Sequence, residues 1–415
     1  MQIPFLNSSL GRRSGADVVG LDIQPGFVAA VQARVNGSVL AERASSAALS
    51  ADTIRDGEVA DVGALTDALR ELFASSGLSR RVRLGVANQR TVLRTLELPP
   101  VTERKELAAA VNFQAQDQVP MPLSNAVMDF HPLGVIETPS GPRQRVVLVA
   151  AQRDMIERLL AAVRGAGLRP EGIDLSAFAL IRSLYRAEAE GDGRVLYLNV
   201  DGLTNLAIAE GEICRFTRVV GSGIEGMASE IAERRGIAIS EARELLGAID
   251  LSQPADVAVS PPEPVQRTAE AVQQTPEEQT TGVESEAQPQ HGEAQEPDTV
   301  DLERSFEEES QLPSAPAVSD EDVRAVLDNG IREIAGEVRN SLDFHRSQEG
   351  GGEVTRVVLS GSALDLRGFA EALQSHLHVP VESLSVGLAD ESLSDSVSTH
   401  RLAIAAGLAT TELHK

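Results

Sequence analysis

The stretch Val195–Glu210, VLYLNVDGLTNLAIAE, decides the fold. Val195, Leu196, Tyr197 and Leu198 read as a buried strand, Asn199 to Thr204 as a tight polar turn, and Leu206, Ala207 and Ile208 as the start of a returning strand. The result is a hairpin with its polar atoms at the tip. Near the start of the chain Val18–Val31, VVGLDIQPGFVAAV, repeats the pattern: apolar strand, turn carrying Asp and Gly, apolar return. Two such hairpins, each opening one half of the sequence, describe a duplicated α/β protein that holds a ligand between its halves.

Composition bounds the rest. The 415 residues allow two or more domains, and 42% hydrophobic residues supply a core for each. With no Trp and 3% aromatics, those cores are built from Leu, Val, Ile and Ala. A net charge of −25 argues against nucleic acid as a partner, because phosphates are repelled. About half of that charge sits in residues 252–319, where acids far outnumber Arg267 and Arg304, so the folded remainder is only mildly acidic. The same segment is crowded with Pro, Gln, Glu, Thr and Ser, lacks apolar periodicity and is expected to be a disordered acidic linker. The single Cys, Cys214, excludes an internal disulfide and reads as a small apolar residue on a strand. No apolar run approaches the roughly 18 residues of a membrane span, which places the chain in the cytoplasm.

Outward from the hairpins, residues 1–16 form a flexible tail and 17–90 a first lobe. In that lobe Asn36-Gly37 turns into a third strand, and a helix over Val62–Ser76 is closed by Gly77. Residues 91–172 have a β-α-β-β-α order and read as an inserted small α/β subdomain. Its strand to Leu98 is stopped by Pro99-Pro100, and its first helix is capped by Thr102 with Leu107, Val111 and Gln114 on one face. Ile173–Tyr185 reads as a buried helix returning to the first lobe over 173–192. Residues 193–251 begin a second lobe, with a short helix capped by Ser240, and 320–415 complete it. There Val323, Val326, Leu327, Ile331, Ile334, Val338, Leu342 and Phe344 keep a 3-4 spacing that predicts a long amphipathic helix. Gly361-Ser362 then turns into a helix over Leu366–Leu377, and Gly407, inside a small-residue helix, marks a close approach to another backbone.

The chemistry these turns suit is phosphate handling. A strand, a Gly-containing turn and a returning strand point backbone N–H groups at an anion, and a carboxylate at the strand end holds Mg²⁺ through water. Asp22 and Gly26 supply one such turn; Gly202, Thr204 and Asn205 supply the other. Alone, either glycine does no more than permit a tight bend. Gly361-Ser362, after an apolar strand, would receive a nucleotide base or phosphate at a helix start. Order and spacing along two halves give these weak signals joint weight.

The order strand-Asp-turn, inserted subdomain, second hairpin, long helix and Gly-Ser resembles the actin-like ATPase superfamily. Within it, LRTLELPPVTERKELAAAVNFQAQDQVPMPLSNAVMDFHPLG, VVLVAAQRDMIERLLAAVRGAGLRPEGIDLSAFALIRSL, VGSGIEGMASEIAERRGIAISEARELL and IREIAGEVRNSLDFHRSQ are similar to the type IV pilus assembly protein PilM family. The resemblance implies a bilobed fold cut like the cell-division protein FtsA, with ATP and Mg²⁺ in the interlobe cleft. It carries the cofactor role to Asp22, Gly26, Asn199, Asp201, Gly202, Thr204, Asn205, Gly361 and Ser362, with Asp22 holding Mg²⁺ through water. It also implies a partner, the N-terminal tail of a PilN-like membrane protein, bordered by the inserted subdomain and its Val119-Pro120-Met121-Pro122-Leu123 run. Contact with other pilus assembly proteins, assembly into a homo-oligomer or ring, and a place at the inner face of the cytoplasmic membrane follow from the same likeness.

The match departs from the family in two places. Gln24-Pro25-Gly26-Phe27 replaces a hydroxyl-rich run and Ala29 stands where that pattern has Lys; Asn199 aligns with an acid, with Asp201 two positions later. Removing those charges favours binding over hydrolysis. The implied function is a nucleotide-binding scaffold that couples the pilus machinery to the membrane. The alternatives are an active ATPase or a sugar kinase of the superfamily, and the cytoplasmic module of a type II secretion protein.

Overall fold

A computed structural model of the chain describes residues 18–187, 193–253, 320–348, 350–395 and 397–410. The expected N-terminal tail and nearly all of the acidic segment lie outside the described residues.

The first lobe opens with β1 (Val19–Gln24), β2 (Phe27–Asn36) and β3 (Ser38–Ala48), then a small ribbon of β4 (Ile54–Arg55) and β5 (Glu58–Val59), helix α1 (Val62–Ser76) and β6 (Arg81–Val86). An inserted unit follows, with β7 (Val92–Leu98), α2 (Arg104–Gln118), β8 (Ala126–Thr138) and β9 (Gly141–Gln152). The chain returns through α3 (Arg153–Gly165), β10 (Arg169–Leu175) and α4 (Ser176–Leu184). The second lobe holds β11 (Arg194–Val200), β12 (Thr204–Glu210), β13 (Ile213–Val220), α5 (Ile224–Arg235), α6 (Ile239–Ala248), α7 (Asp320–Ser347), β14 (Val354–Ser360), α8 (Phe369–Leu377) and β15 (Val381–Ser383). Finally β16 (Gly387–Leu388) joins the edge of the first sheet and α9 (Ala403–Ala409) closes the order.

The two large sheets follow one plan. In the order β10-β6-β1-β2-β3-β16, the meander β1-β2-β3 is antiparallel while β6 and β10 are added in parallel. The second sheet, β13-β12-β11-β14-β15, has the antiparallel meander β11-β12-β13 with β14 and β15 parallel to it. Both sheets are covered on both faces, which is why their strands read as continuous apolar runs. Val28 and Ala30 of β2 pack under α1 and α3, while Phe27, Ala29 and Val31 face α4 and α9. Likewise Leu196, Leu198 and Val200 of β11 face α5, α7 and α8, while Val195 and Tyr197 join the α4–α9 core. That core draws on both sheets and ties the lobes together.

Close packing of α4 and α9 rests on small residues. A β-carbon at Gly407 would overlap the Ala179 carbonyl oxygen, so the close approach expected from the sequence is present. The end of α9 is held by arginines: Arg182 Nη1 donates to Gly407 O at 2.7 Å, and Arg83 Nη1 to Leu408 O at 2.7 Å. Arg182 is itself fixed by a buried ion pair with Asp174 at 2.8 Å. Cys214 is buried on β13, where burial pushes its thiol up to about 12, an inert small residue as expected.

Several expectations need correction. Ile173 to Leu175 is the end of β10, paired in parallel with β6, and the returning helix begins only at Ser176. A run this apolar serves as a buried strand as readily as a helix. The stretch 91–172 also divides: α3 buries Met155, Ile156 and Leu159 against the α1 side of the first lobe, and β10 belongs to that lobe's sheet, so the inserted unit ends with β9. Thr102 does not cap α2; Glu103 takes that position without a side-chain bond, and Ala115 rather than Gln114 completes its buried face. Ser240 lies inside α6, whose cap is Ala238. Phe344 is 54% exposed and rests against Phe216, with ring centres 5.9 Å apart, rather than in the core. After Gly361 the chain forms a short 3-10 turn, Ser362–Asp365, and α8 starts at Phe369, so Gly361-Ser362 does not sit at the start of an α-helix.

Candidate functional site between the lobes

The tips of the two hairpins meet. A β-carbon at Gly202 would overlap the Pro25 carbonyl oxygen, so the first turn lies directly on the second. Gly361 has φ 100°, and a side chain there would run into the Val200 backbone, which brings the turn after β14 into the same cluster. Eight of the nine residues assigned from the sequence converge here, with Asn205 on the flank toward an open cavity.

The second hairpin carries a well-served carboxylate. Asp201 Oδ1 accepts from the Ser362 backbone N–H at 2.6 Å and Oδ2 from Asn199 Nδ2 at 2.8 Å. The Asp201 backbone is equally tied: Ile224 N–H donates to its carbonyl at 2.7 Å, and its own N–H donates to Leu203 O at 3.0 Å. Thr204 spends its hydroxyl on the Ser222 carbonyl at 2.7 Å. Burial raises Asp201 above the ordinary carboxylate range, while the Ser362 and Asn199 bonds and the Arg401 charge pull it back.

Asp22, at the end of β1, is also buried but poorly served. Gln24 Nε2 donates at 3.2 Å, and no backbone N–H reaches the carboxylate among the described hydrogen bonds. Burial first, and the neighbouring Asp201 charge second, push Asp22 up to about 7. Asp201 thus has three neighbours that favour its charged form, where Asp22 has Gln24 alone.

Local sequence holds no sign of what faces Gly26. A β-carbon at Gly26, whose φ is 85°, would run into the carboxylate of Glu225 at the start of α5. Glu225 is in turn gripped by both guanidinium arms of Arg243 on α6, with Nε to Oε2 at 2.9 Å. The gap at the first turn is thus closed by an ion pair from the second lobe. Glu225 follows Gly221-Ser222-Gly223 along the chain, yet its partner and its target lie in other elements, and no spacing rule links the three.

Beside this packed cluster lies a cavity of about 820 Å³. The first lobe lines it with Asp56, Asn88, Gln89 and Thr91; the second with Asn205, the end of β13, the Gly221-Ser222-Gly223 turn, and faces of α5 and α7. Of the predicted cofactor residues, Asn205 alone lines it; Asp22, Gly26, Asn199, Asp201, Gly202, Thr204, Gly361 and Ser362 do not.

In this arrangement the residues do not fit a nucleoside triphosphate. Three carboxylates, Asp22, Asp201 and Glu225, crowd the closed tips, and Arg243 is committed to Glu225. The two lysines of the chain, Lys105 and Lys415, fall in neither hairpin. Among the described residues no group of three or more His, Cys, Asp or Glu side chains is placed to hold a metal ion. What the geometry provides is two lobes whose loop tips are locked together by backbone contact, hydrogen bonds and one bridging ion pair.

The family description Type IV pilus assembly protein PilM matches residues 20–263. Among solved structures, a PilM–PilN type IV pilus biogenesis complex superposes with a TM-score of 0.68 at 22% identity, covering 95% of this chain and 98% of that one. The ethanolamine utilization protein EutJ from Carboxydothermus hydrogenoformans gives 0.45 at 14% identity over 94% and 88%. MreB 5 of Spiroplasma citri, solved bound to AMPPNP, gives 0.46 at 13% identity over 94% of both chains. The first likeness shows a shared fold, the two-lobed α/β arrangement that the resemblance implied. Because the matched span takes in more than half of the sequence and both hairpins, the chain belongs to the type IV pilus assembly protein PilM family.

Proposed function

We propose that this protein is a scaffold of type IV pilus assembly that docks the cytoplasmic N-terminal tail of a PilN-like membrane protein at its inserted subdomain. The observation that carries the reading is the family match, which spans the whole inserted unit from β7 to β9. A solved relative of the same fold is described as a PilM–PilN complex. The inserted unit is built to receive a peptide. Its core of Leu96, Leu107, Val111, Ala115 and Leu148 is closed, while Met121, Leu123, Met128 and Phe130 on its rim stay half covered. A segment with apolar side chains would complete that cover at little reorganisation cost. No described helix is long and apolar enough to cross a membrane, so attachment to the inner face of the membrane would run through the partner.

ATP with Mg²⁺ enters this reading only as a ligand of an opened cleft. Admission requires Pro25 to leave Gly202 and Glu225 to leave Gly26; Asp22, Gly26, Asn199, Asp201, Gly202, Thr204, Gly361 and Ser362 would then face the phosphates. Turnover is not part of the proposal, because neither hairpin carries a lysine.

The test is calorimetric titration of the full chain with a synthetic PilN-type tail peptide. Binding is expected, and Met121→Glu with Leu123→Glu should weaken it about tenfold, the effect of losing a modest interface hot spot. Absence of heat and of competition with a labelled tail sinks the reading. A fluorescent ATP analogue titrated with Mg²⁺ should bind weakly to the wild-type chain and more tightly once Glu225→Gln loosens the bridge.

A further inference from the structure

We propose that the open cavity beside the hairpin tips is a binding site for a basic peptide, one that presents an arginine or lysine side chain together with a backbone carbonyl. The site is separate from the inserted subdomain and stands whether or not the docking reading holds.

Charge selects the cation. Asp56, Glu230, Glu333 and Glu337 line the cavity; Glu337 is paired with Arg218 at 2.7 Å and Glu230 with Arg234 of its own helix. Asp56 and Glu333 have no ion-pair partner among the described residues. Their potential repels phosphates and carboxylates and draws in guanidinium or ammonium groups. A cavity of about 820 Å³ lies within the range that takes several residues of extended peptide or a drug-sized ligand.

A second, independent observation selects the carbonyl. Asn205 is 1% exposed, lines the cavity, and its Nδ2 donor has no partner. Buried amide donors in folded proteins are almost always paired, so an orphan at a cavity wall marks the place of a ligand acceptor. The hydroxyls of Ser222 and Thr91, also on the wall and also unpartnered, take either role toward a peptide backbone. A polyamine would satisfy the carboxylates but offers Asn205 no acceptor. An anion would suit Asn205 but not its acidic surroundings. A basic peptide suits both.

The experiment uses the full chain and a fluorescein-labelled octapeptide of alternating arginine and glycine, followed by anisotropy at near-physiological salt. The octapeptide is expected to bind. Asp56→Asn with Glu333→Gln should weaken it about fivefold, the loss of two exposed charge pairs. The same neutralisation at Glu71 and Glu157, exposed acids on α1 and α3 outside the cavity, should change it less than about twofold. Asn205→Ala should weaken the octapeptide and leave competition by spermidine unchanged. Equal losses from both acid pairs would reduce the effect to net charge and overturn the site, as would no binding at all. Because Glu333 is exposed, the carboxylate variants remain informative even if Asn205→Ala fails to fold. Saturating PilN-type tail peptide should leave octapeptide affinity unchanged; displacement would overturn the assignment of a separate site.

Discussion

The turns β1–β2 and β11–β12 hold equivalent places in two copies of one plan, yet their carboxylates live differently. Asp201 is met by a backbone N–H, an amide side chain and a distant arginine; Asp22 has one glutamine and a neighbouring negative charge. The contrast shows that a shared plan does not give its two tips the same donors, although burial raises both carboxyls. What sets them apart is the number of donors that the surrounding loops aim at the oxygen atoms. In this chain the second lobe supplies the donors, and the first hairpin is left to bury a carboxyl that holds its proton near neutrality.

The largest expected effect comes from removing that burden. With a pKa raised from 3.8 to about 7, Asp22 favours the folded state in its protonated form. Its contribution is therefore fully present below about pH 4, declines as pH rises toward 7, and is gone above it. At 1.36 kcal/mol per pH unit the decline amounts to at most about 4 kcal/mol. Asp22→Asn keeps an acceptor for Gln24 and cannot ionise. It should be more stable than wild type at pH 8 by up to that amount, with the advantage shrinking toward pH 4.5. Urea unfolding of both proteins across that range reads the difference; parallel curves would mean that Asp22 is not the group held protonated.

The next effect probes the contact between the tips. Gly202→Ala drives a methyl group into the Pro25 carbonyl and should cost about 2–3 kcal/mol, in the range of overpacked sites. Gly226, within the first turns of α5, has no neighbour in the β-carbon direction within 4 Å. Gly226→Ala should instead stabilise by about 0.5–1 kcal/mol through lower entropy of the unfolded chain. If thermal melts moved the two variants in the same direction, the hairpin tips would not be in firm contact.

How much of this could be read beforehand follows from the range over which each signal acts. The two hairpins, α1 with its Gly77 end and the 3-4 spacing of α7 depend on neighbours along the chain, and periodicity reports them. The family likeness was legible because the inserted unit carries a long, specific run around Val119–Leu123. Boundaries such as Thr102 against Glu103, and strand against helix at Ile173–Leu175, turn on tertiary packing that local preference does not encode. The ion pair across Gly26 was illegible for a stronger reason. Glu225 and Arg243 belong to different helices, and nothing in either segment says that they close over a turn about two hundred residues away. The cavity was missed likewise, since its wall draws on β4, β6, β12, β13, α5 and α7 or the loops beside them.

A smaller effect than that at Gly202 separates the two carboxylates most finely. Asp201→Asn leaves Ser362 N–H an acceptor but turns one amide NH₂ toward Asn199 Nδ2, so a donor loses its partner at a cost of about 1–2 kcal/mol. The same change removes the negative charge that helps to raise Asp22. Asp22 in the folded chain then ionises more readily, while its unfolded value is untouched. The fall of stability with rising pH should therefore level off at lower pH and be smaller in total than in wild type. Comparing the pH at which unfolding free energy stops falling distinguishes two sources for the Asp22 shift. An endpoint that stays in place would leave burial as the whole cause and remove the coupling between the hairpins; an endpoint that moves down makes the two tips one titrating unit.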